Sequence, residues 1–259
     1  MNKEIKEKLP DWIFEEDLLM ALSNDIDSLL SCAILEKYNN WKTKFFYNFY
    51  GLYKEKGMKV IPNSAVGVDI DLITGRCLGN HIGDSNNNDC INLNKLCGIT
   101  KDKYYSKFAM STAITVLSIL SINIDDFTEK QKEIILAIDC GFKSYYYNKL
   151  QASYYIAKVL EYPSLIKMLE KHDKSYFYSI VDKYRLYADI NIDNTGHLIT
   201  DIKLAELSKN LDIDLELPKQ EFTKFKEFEV KTGIPESTEN LFSLAWTYRN
   251  SAIYSSIAV

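Results

Sequence analysis

At 259 residues the chain can bury one large core, or one core and a smaller second one. Apolar residues make up 46% and charged residues 26%, which excludes an intrinsically disordered chain. A net charge of −5 argues against sequence-independent binding of long nucleic acid, while leaving room for a small phosphorylated ligand held through a cation.

Residues 1–17 are charged and lack the apolar centre of a signal peptide. Residues 17–23, "DLLMALS", read as a short buried strand, and residues 27–38 as a helix capped by Asp27 or Ser28. Further strands are expected over 44–53, 64–71 and 76–82. Strand, helix, strand in this order predicts a parallel α/β sheet with helices on both faces. The polar segment 83–96 reads as a loop. Helical patterns follow over 104–122, 128–140 and 145–171, the second opening on a capping box at Thr128 with Gln131. The apolar run 108–122 is interrupted by Ser111, Thr112, Thr115, Ser118 and Ser121, so it reads as a buried helix and no membrane partner is expected. Beyond it come a hairpin around "DNTG", a helix at "KLAELSKNL", a charged helix over 220–231 and a final strand pair joined through "RNS". The change of texture divides the chain into an α/β domain over 1–175 and a small α+β C-terminal extension over 176–259. The five cysteines, Cys32, Cys77, Cys90, Cys97 and Cys140, form no C-x-x-C pair; they are expected to be reduced thiols of a cytoplasmic protein, not zinc ligands.

Ligands of parallel α/β sheets bind beyond the carboxyl ends of the strands. Asp25 and Asp27 follow the first predicted strand, Asp69 and Asp71 end the third, and His81 ends the fourth. Carboxylates gathered this way repel one another unless they are protonated or bridged by a cation. Oxygen donors with one imidazole suit Mn²⁺ or Mg²⁺.

These segments, in this order, resemble the DHH phosphoesterase superfamily over about residues 10–145. "DIDSLLS" resembles its first motif, "VGVDID" its second, and "GNHI" lies where the signature Asp-His-His falls; "INLNKL" resembles the segment that follows, and "ILAIDCGF" the fourth motif. The resemblance implies two-metal phosphoester hydrolysis, with Asp27, Asp69, His81 and Asp139 as ligands of one cation. It implies Asp25 and shared Asp69 for a weaker second position, with Asp71 able to substitute for Asp69 because the gap from Asp69 to His81 is short. Asp25, Asp69 and His81 take the catalytic roles, and Asn80, Asn92 and Asn94 the ligand-binding ones. The chain departs from the pattern at three positions: Ala21 stands where a histidine ligand is usual, Asn80 replaces the signature aspartate and Ile82 the second histidine. The glycine-rich substrate loop of the family's C-terminal domain has no counterpart in 173–259.

Two functions are therefore expected. One is a metal-dependent phosphoesterase acting on a nucleotide, cyclic dinucleotide or short oligonucleotide. The other is a degenerate relative that binds a nucleotide or protein without hydrolysis; in it, Ala21→His with Ile82→His should restore activity. A third reading, assembly of copies through the tyrosine-rich segment 145–157, takes these rings as core or interface rather than as base-stacking groups. Each candidate also has a plain structural reading, as a cap, a turn residue or a hydrogen-bonded histidine. His172 and His197 are expected at the surface.

Overall fold

The computed structural model describes residues 1–61, 64–83 and 86–257. Residues 84 and 85 of the predicted polar loop and the last two residues of the predicted final strand lie outside this set.

A single helical turn, α1 (Lys3–Lys6), leads into β1 (Leu19–Leu22), α2 (Ile26–Asn39), β2 (Lys42–Tyr47), β3 (Gly51–Glu55), β4 (Ala65–Val68), β5 (Cys77–Leu78), β6 (Cys90–Ile91) and α3 (Leu93–Leu96). The middle of the chain is helical: α4 (Thr112–Ile119), α5 (Glu129–Ala137), α6 (Phe142–Tyr147), α7 (Lys149–Tyr154), α8 (Pro163–Lys171) and α9 (Lys174–Tyr184). A hairpin of β7 (Ile190–Ile192) and β8 (Leu198–Thr200), the helix α10 (Leu204–Leu211), and β9 (Phe222–Gly233), β10 (Leu241–Tyr248) and β11 (Ser251–Ile257) complete it.

The fold is α/β around a mixed sheet of nine strands in the order β10-β11-β9-β3-β2-β1-β4-β5-β6. From β2 to β6 the pairings are parallel; from β2 through β3, β9 and β11 to β10 they are antiparallel. Strands from the two ends of the chain thus share one sheet. Period-two alternation sorts the side chains of β1: Met20 and Leu22 enter the main core with α2, α4 and α5, whereas Ala21 faces the other way. There it meets Phe45, Tyr47, Ile70 and Phe228, a cluster with no helical residue among those described. The expected helices on this second face are replaced by the sheet itself, which curls. Backbone bridges join Leu72 to Ser243 and Ile82 to Trp246, so β10 returns against the segments beyond β4 and β5. Inside the curl the Tyr47 hydroxyl pairs with Ser243 Oγ (2.6 Å) and Ser255 Oγ (2.7 Å).

Several predicted elements change. Segment 44–53 is a hairpin, not one strand: Asn48 Oδ1 accepts the Gly51 N–H, and Phe49 turns the chain at φ 68°. The charged stretch expected as a helix over 220–231 is the strand β9, with partners on both sides, β3 and β11. Phe222, Phe225 and Phe228 mimic helical spacing, but two backbone ladders outweigh that local pattern. Of the predicted helix 104–122 only α4 is α-helical, because Ser111 is extended and caps it, accepting the Ile114 N–H. The predicted helix 145–171 breaks at Asn148 and before Pro163. The capping box at Thr128, the "DNTG" hairpin and the final strand pair form as expected. Among the described residues no helix is long and apolar enough to cross a membrane, and all five cysteines are free.

Candidate functional site

The carboxyl ends of β1, β4 and β5 open on one region, and the acidic segments reach it through specific local structure. Asp25 is the N-cap of α2: its Oδ1 accepts the Ser28 N–H at 2.9 Å, the role that Asp27 or Ser28 was expected to play. Ser28 instead ties the strand ends together, accepting the Ser23 N–H (2.7 Å) and donating to the Val68 carbonyl (2.7 Å). Asp27, in the first turn of α2, is 1% exposed. Its two oxygens accept the first N–H groups of α4, from Thr112 (2.6 Å) and Ala113 (2.8 Å). A buried carboxylate thus caps a neighbouring helix, where the positive end of the helix dipole favours it.

Asp69 leaves β4 in the left-handed conformation (φ 57°), and its Oδ1 accepts the Thr112 hydroxyl at 2.6 Å. Thr112 therefore holds Asp27 with its backbone and Asp69 with its side chain. Asp139 and Cys140 are also left-handed (φ 50° and 51°), between α5 and α6. The Asn80 amide donates to Asp139 at 3.0 Å and stands 3.5 Å from Asp27. Asn80 is buried, and its Oδ1 has no hydrogen-bond partner, an acceptor left bare inside the cluster.

His81 and Asp71 form the neighbouring unit. His81 Nδ1 lies 3.2 Å from Asp71 Oδ2, and the Asn92 amide donates to Asp71 Oδ1 at 3.3 Å and to the His81 carbonyl. Asp71 thus faces the imidazole and an amide. The Asn94 side chain is wholly engaged with the Asn80 and Phe108 backbones. Of the three asparagines, Asn92 and Asn94 fasten loops, and Asn80 alone keeps a free acceptor.

Burial pushes the Asp25 carboxyl up to about 6, with the charge of Asp139 adding to it against the Ser28 N–H and His81. Burial raises Asp27 well above the usual range too, then Asp69, Asp139 and Asp25 as like charges. Asp69 is raised by burial, Asp25 and Asp139. Burial opposes the charged form of His81, but the hydrogen bond and charge of Asp71, then Asp139 and Asp69, prevail and lift it to about 9. Asp25, Asp27, Asp69, Asp139 and His81 therefore share one electrostatic field.

These shifts fix the sign of a pH dependence. Asp25 titrates near 6 when folded and at 3.8 when unfolded, so between those values the folded state keeps a proton the unfolded chain releases. Stability therefore falls as pH rises through that window, by at most roughly 3 kcal/mol for this group. His81 acts in the same direction: its stabilisation is complete below 6.5 and is lost as pH rises to about 9. The melting temperature in EDTA should decline steadily from about pH 5 to pH 9; a flat or rising profile would contradict the cluster.

Among the described residues no group of three or more His, Cys, Asp or Glu side chains is arranged to hold a metal ion. In this structure Asp27 is engaged by α4, Asp69 by Thr112, and Asp71 and His81 by each other. Ala21, at the position of the usual histidine ligand, belongs to the apolar cluster inside the curl. Ile82 is buried with Tyr104, Leu244 and Trp246. Ala21→His with Ile82→His would therefore place imidazoles in apolar packing rather than restore a site.

Gly79 has a steric role. A Cβ there would stand 2.1 Å from Asp71 Oδ1. Gly79→Ala should push Asp71 off His81 and return the imidazole toward its ordinary 6.5, seen as a fall in its NMR titration midpoint from about 9.

Ser28 was read in the sequence only as a helix cap and Thr112 only as a polar interruption of an apolar run, neither as a site residue; the "ST" before an apolar helical run is the cap signal that would have found Thr112. His172, expected at the surface, is half-buried: it stacks on Tyr176 at 3.7 Å, with Nε2 2.8 Å from Glu133, while His197 is exposed. No known protein family, no curated protein and no solved structure matches the chain.

Proposed function

We propose that the chain is a metal-dependent phosphoesterase of the DHH type, acting on a nucleotide, cyclic dinucleotide or short oligonucleotide. One observation carries this reading: side chains from four separate segments, Asp25 and Asp27, Asp69, His81 and Asp139, lie in a common field with the bare acceptor of Asn80 among them. The donor set fits Mn²⁺ or Mg²⁺, being oxygen-rich with one imidazole. Asp27, Asp69, His81 and Asp139 would hold one cation, while a second position at Asp25 is weaker because Ala21 supplies no ligand. When bound, the metal lowers the pKa of a water and neutralises phosphoryl oxygens. Asp25 and Asp69 would orient a water and accept its proton, and His81, as a ligand, would be a neutral imidazole whose proton the cation displaces.

A second reading, binding without hydrolysis, is favoured by the Asn80 amide, which donates to one carboxylate oxygen of Asp139 and approaches one of Asp27, where a cation's charge is needed. A hydrolysis screen with Mn²⁺ over cyclic dinucleotides, linear dinucleotides and pyrophosphate separates the two. The phosphoesterase reading expects turnover that EDTA abolishes. An absence of turnover with every substrate leaves the binding reading.

A further inference from the structure

Beside Asp139 the surface opens into a cavity of about 520 Å³, within the range of small-molecule sites. Its floor is rigid and aromatic: buried Phe108 and Tyr155 meet edge to face at 5.3 Å, and the Tyr155 hydroxyl donates to the Ser106 carbonyl at 3.0 Å. Its rim is different. Tyr147 from α6 is 75% exposed and Tyr248 from the end of β10 is 72% exposed. Among the described residues their side chains make no hydrogen bond and no ring contact. Tyr105, also on the cavity, is 62% exposed. Tyr105 packs edge to face on Tyr104, and with Tyr147 and Tyr248 it places three largely exposed rings around one cavity, unlike scattered exposed residues.

The cavity is continuous in sequence and in charge with the acidic cluster. Met110 lines it two residues before Thr112, which holds Asp27 and Asp69. Lys143 lines it four residues after Asp139, just inside α6, and both it and Lys107, which also lines it, act on the Asp139 charge. A ligand filling the cavity thus meets rings at its outer end and two ammonium groups at the end nearest the carboxylates.

We propose that this cavity is a base-binding subsite, taking the nucleobase of a nucleoside phosphate against Tyr105, Tyr147 and Tyr248 and its phosphate at Lys107 and Lys143. The chemistry selects this class. Tyrosine faces stack on any base, and the paired lysines attract an anion in a protein whose net charge is −5. A sugar phosphate would leave the rings uncovered, and an acidic peptide would bring no plane to stack on them. The subsite rests on the phosphoester reading for the fate of the phosphate, but its test needs no turnover.

Isothermal titration calorimetry with AMP, GMP, CMP and UMP, against ribose 5-phosphate, provides the test. At least one nucleotide should bind about tenfold more tightly than ribose 5-phosphate, the gain expected of one stacked base. Tyr147→Ala with Tyr248→Ala should erase that advantage and leave ribose 5-phosphate unchanged, both side chains being too exposed to matter for folding. Lys107→Gln should weaken nucleotide and ribose 5-phosphate alike. Nucleotides binding no better than ribose 5-phosphate, or an advantage that survives removal of both tyrosines, would overturn the subsite. Binding without turnover would defeat only the phosphoesterase reading, and turnover without base preference only the subsite.

Discussion

Replacing Asp69 with asparagine should raise the melting temperature of the cation-free protein and abolish its stabilisation by Mn²⁺. Asparagine keeps the acceptor that Thr112 uses, and it tolerates the left-handed backbone at φ 57°. What it removes is a buried charge repelled by Asp25 and Asp139. Relief of that repulsion should raise the midpoint, at about 2–4 °C for each kcal/mol gained in a chain of this size. In the wild-type protein, Mn²⁺ at a hundred times its Kd should add about 2.7 kcal/mol. Differential scanning fluorimetry in EDTA and in Mn²⁺ reads both effects. A variant less stable than wild type in EDTA, or still stabilised by Mn²⁺, would mean that Asp69 is a structural hydrogen-bond acceptor only.

Asp27→Ala should do the opposite. It strips the acceptor from the Thr112 and Ala113 N–H groups, both buried at the start of α4. Losing a cap and orphaning buried donors costs about 3–4 kcal/mol, offset in part by relieved repulsion from Asp69, Asp139 and Asp25. The net loss should lower the midpoint by about 4–12 °C, and urea titration should show the same sign with an unchanged m-value. Stability equal to wild type would show that α4 does not depend on this carboxylate. Two acidic residues of one cluster are thus expected to differ in sign, because only one of them also completes a helix.

The sequence was most informative where local chemistry and tertiary demand agree. A buried strand followed by Asp25-x-Asp27 and an apolar helix, the Thr128 capping box and the turn at "DNTG" each appear where expected. The approach of Asp25, Asp27, Asp69 and His81 was legible because β1, β4 and β5 are parallel neighbours whose carboxyl ends share a side, whereas Asp139, from the turn between α5 and α6, came only from the resemblance. The rest depended on contacts between distant segments. The residues of β9 carry helical spacing and i,i+3 charge pairs, and only pairing with β3 and β11 makes them a strand. The curl places Ala21 and Ile82 in apolar packing, which no local pattern around either residue announces. His172 is drawn inward by Glu133 from α5 and by Tyr176 from α9. In the tyrosine segment the break at Asn148 decides which rings face water: Tyr145 and Tyr155 are buried, Tyr147 and Tyr154 are not.

The most direct measurement is calorimetric titration of the EDTA-stripped protein with Mn²⁺ at pH 6, in two buffers of different ionisation enthalpy. A cation entering among carboxylates whose pKa values are raised must displace protons, so the observed heat should depend on the buffer, and the binding should vanish in Asp69→Asn. No heat at millimolar Mn²⁺, or binding that releases no proton and persists in that variant, would contradict a cation site built from these side chains.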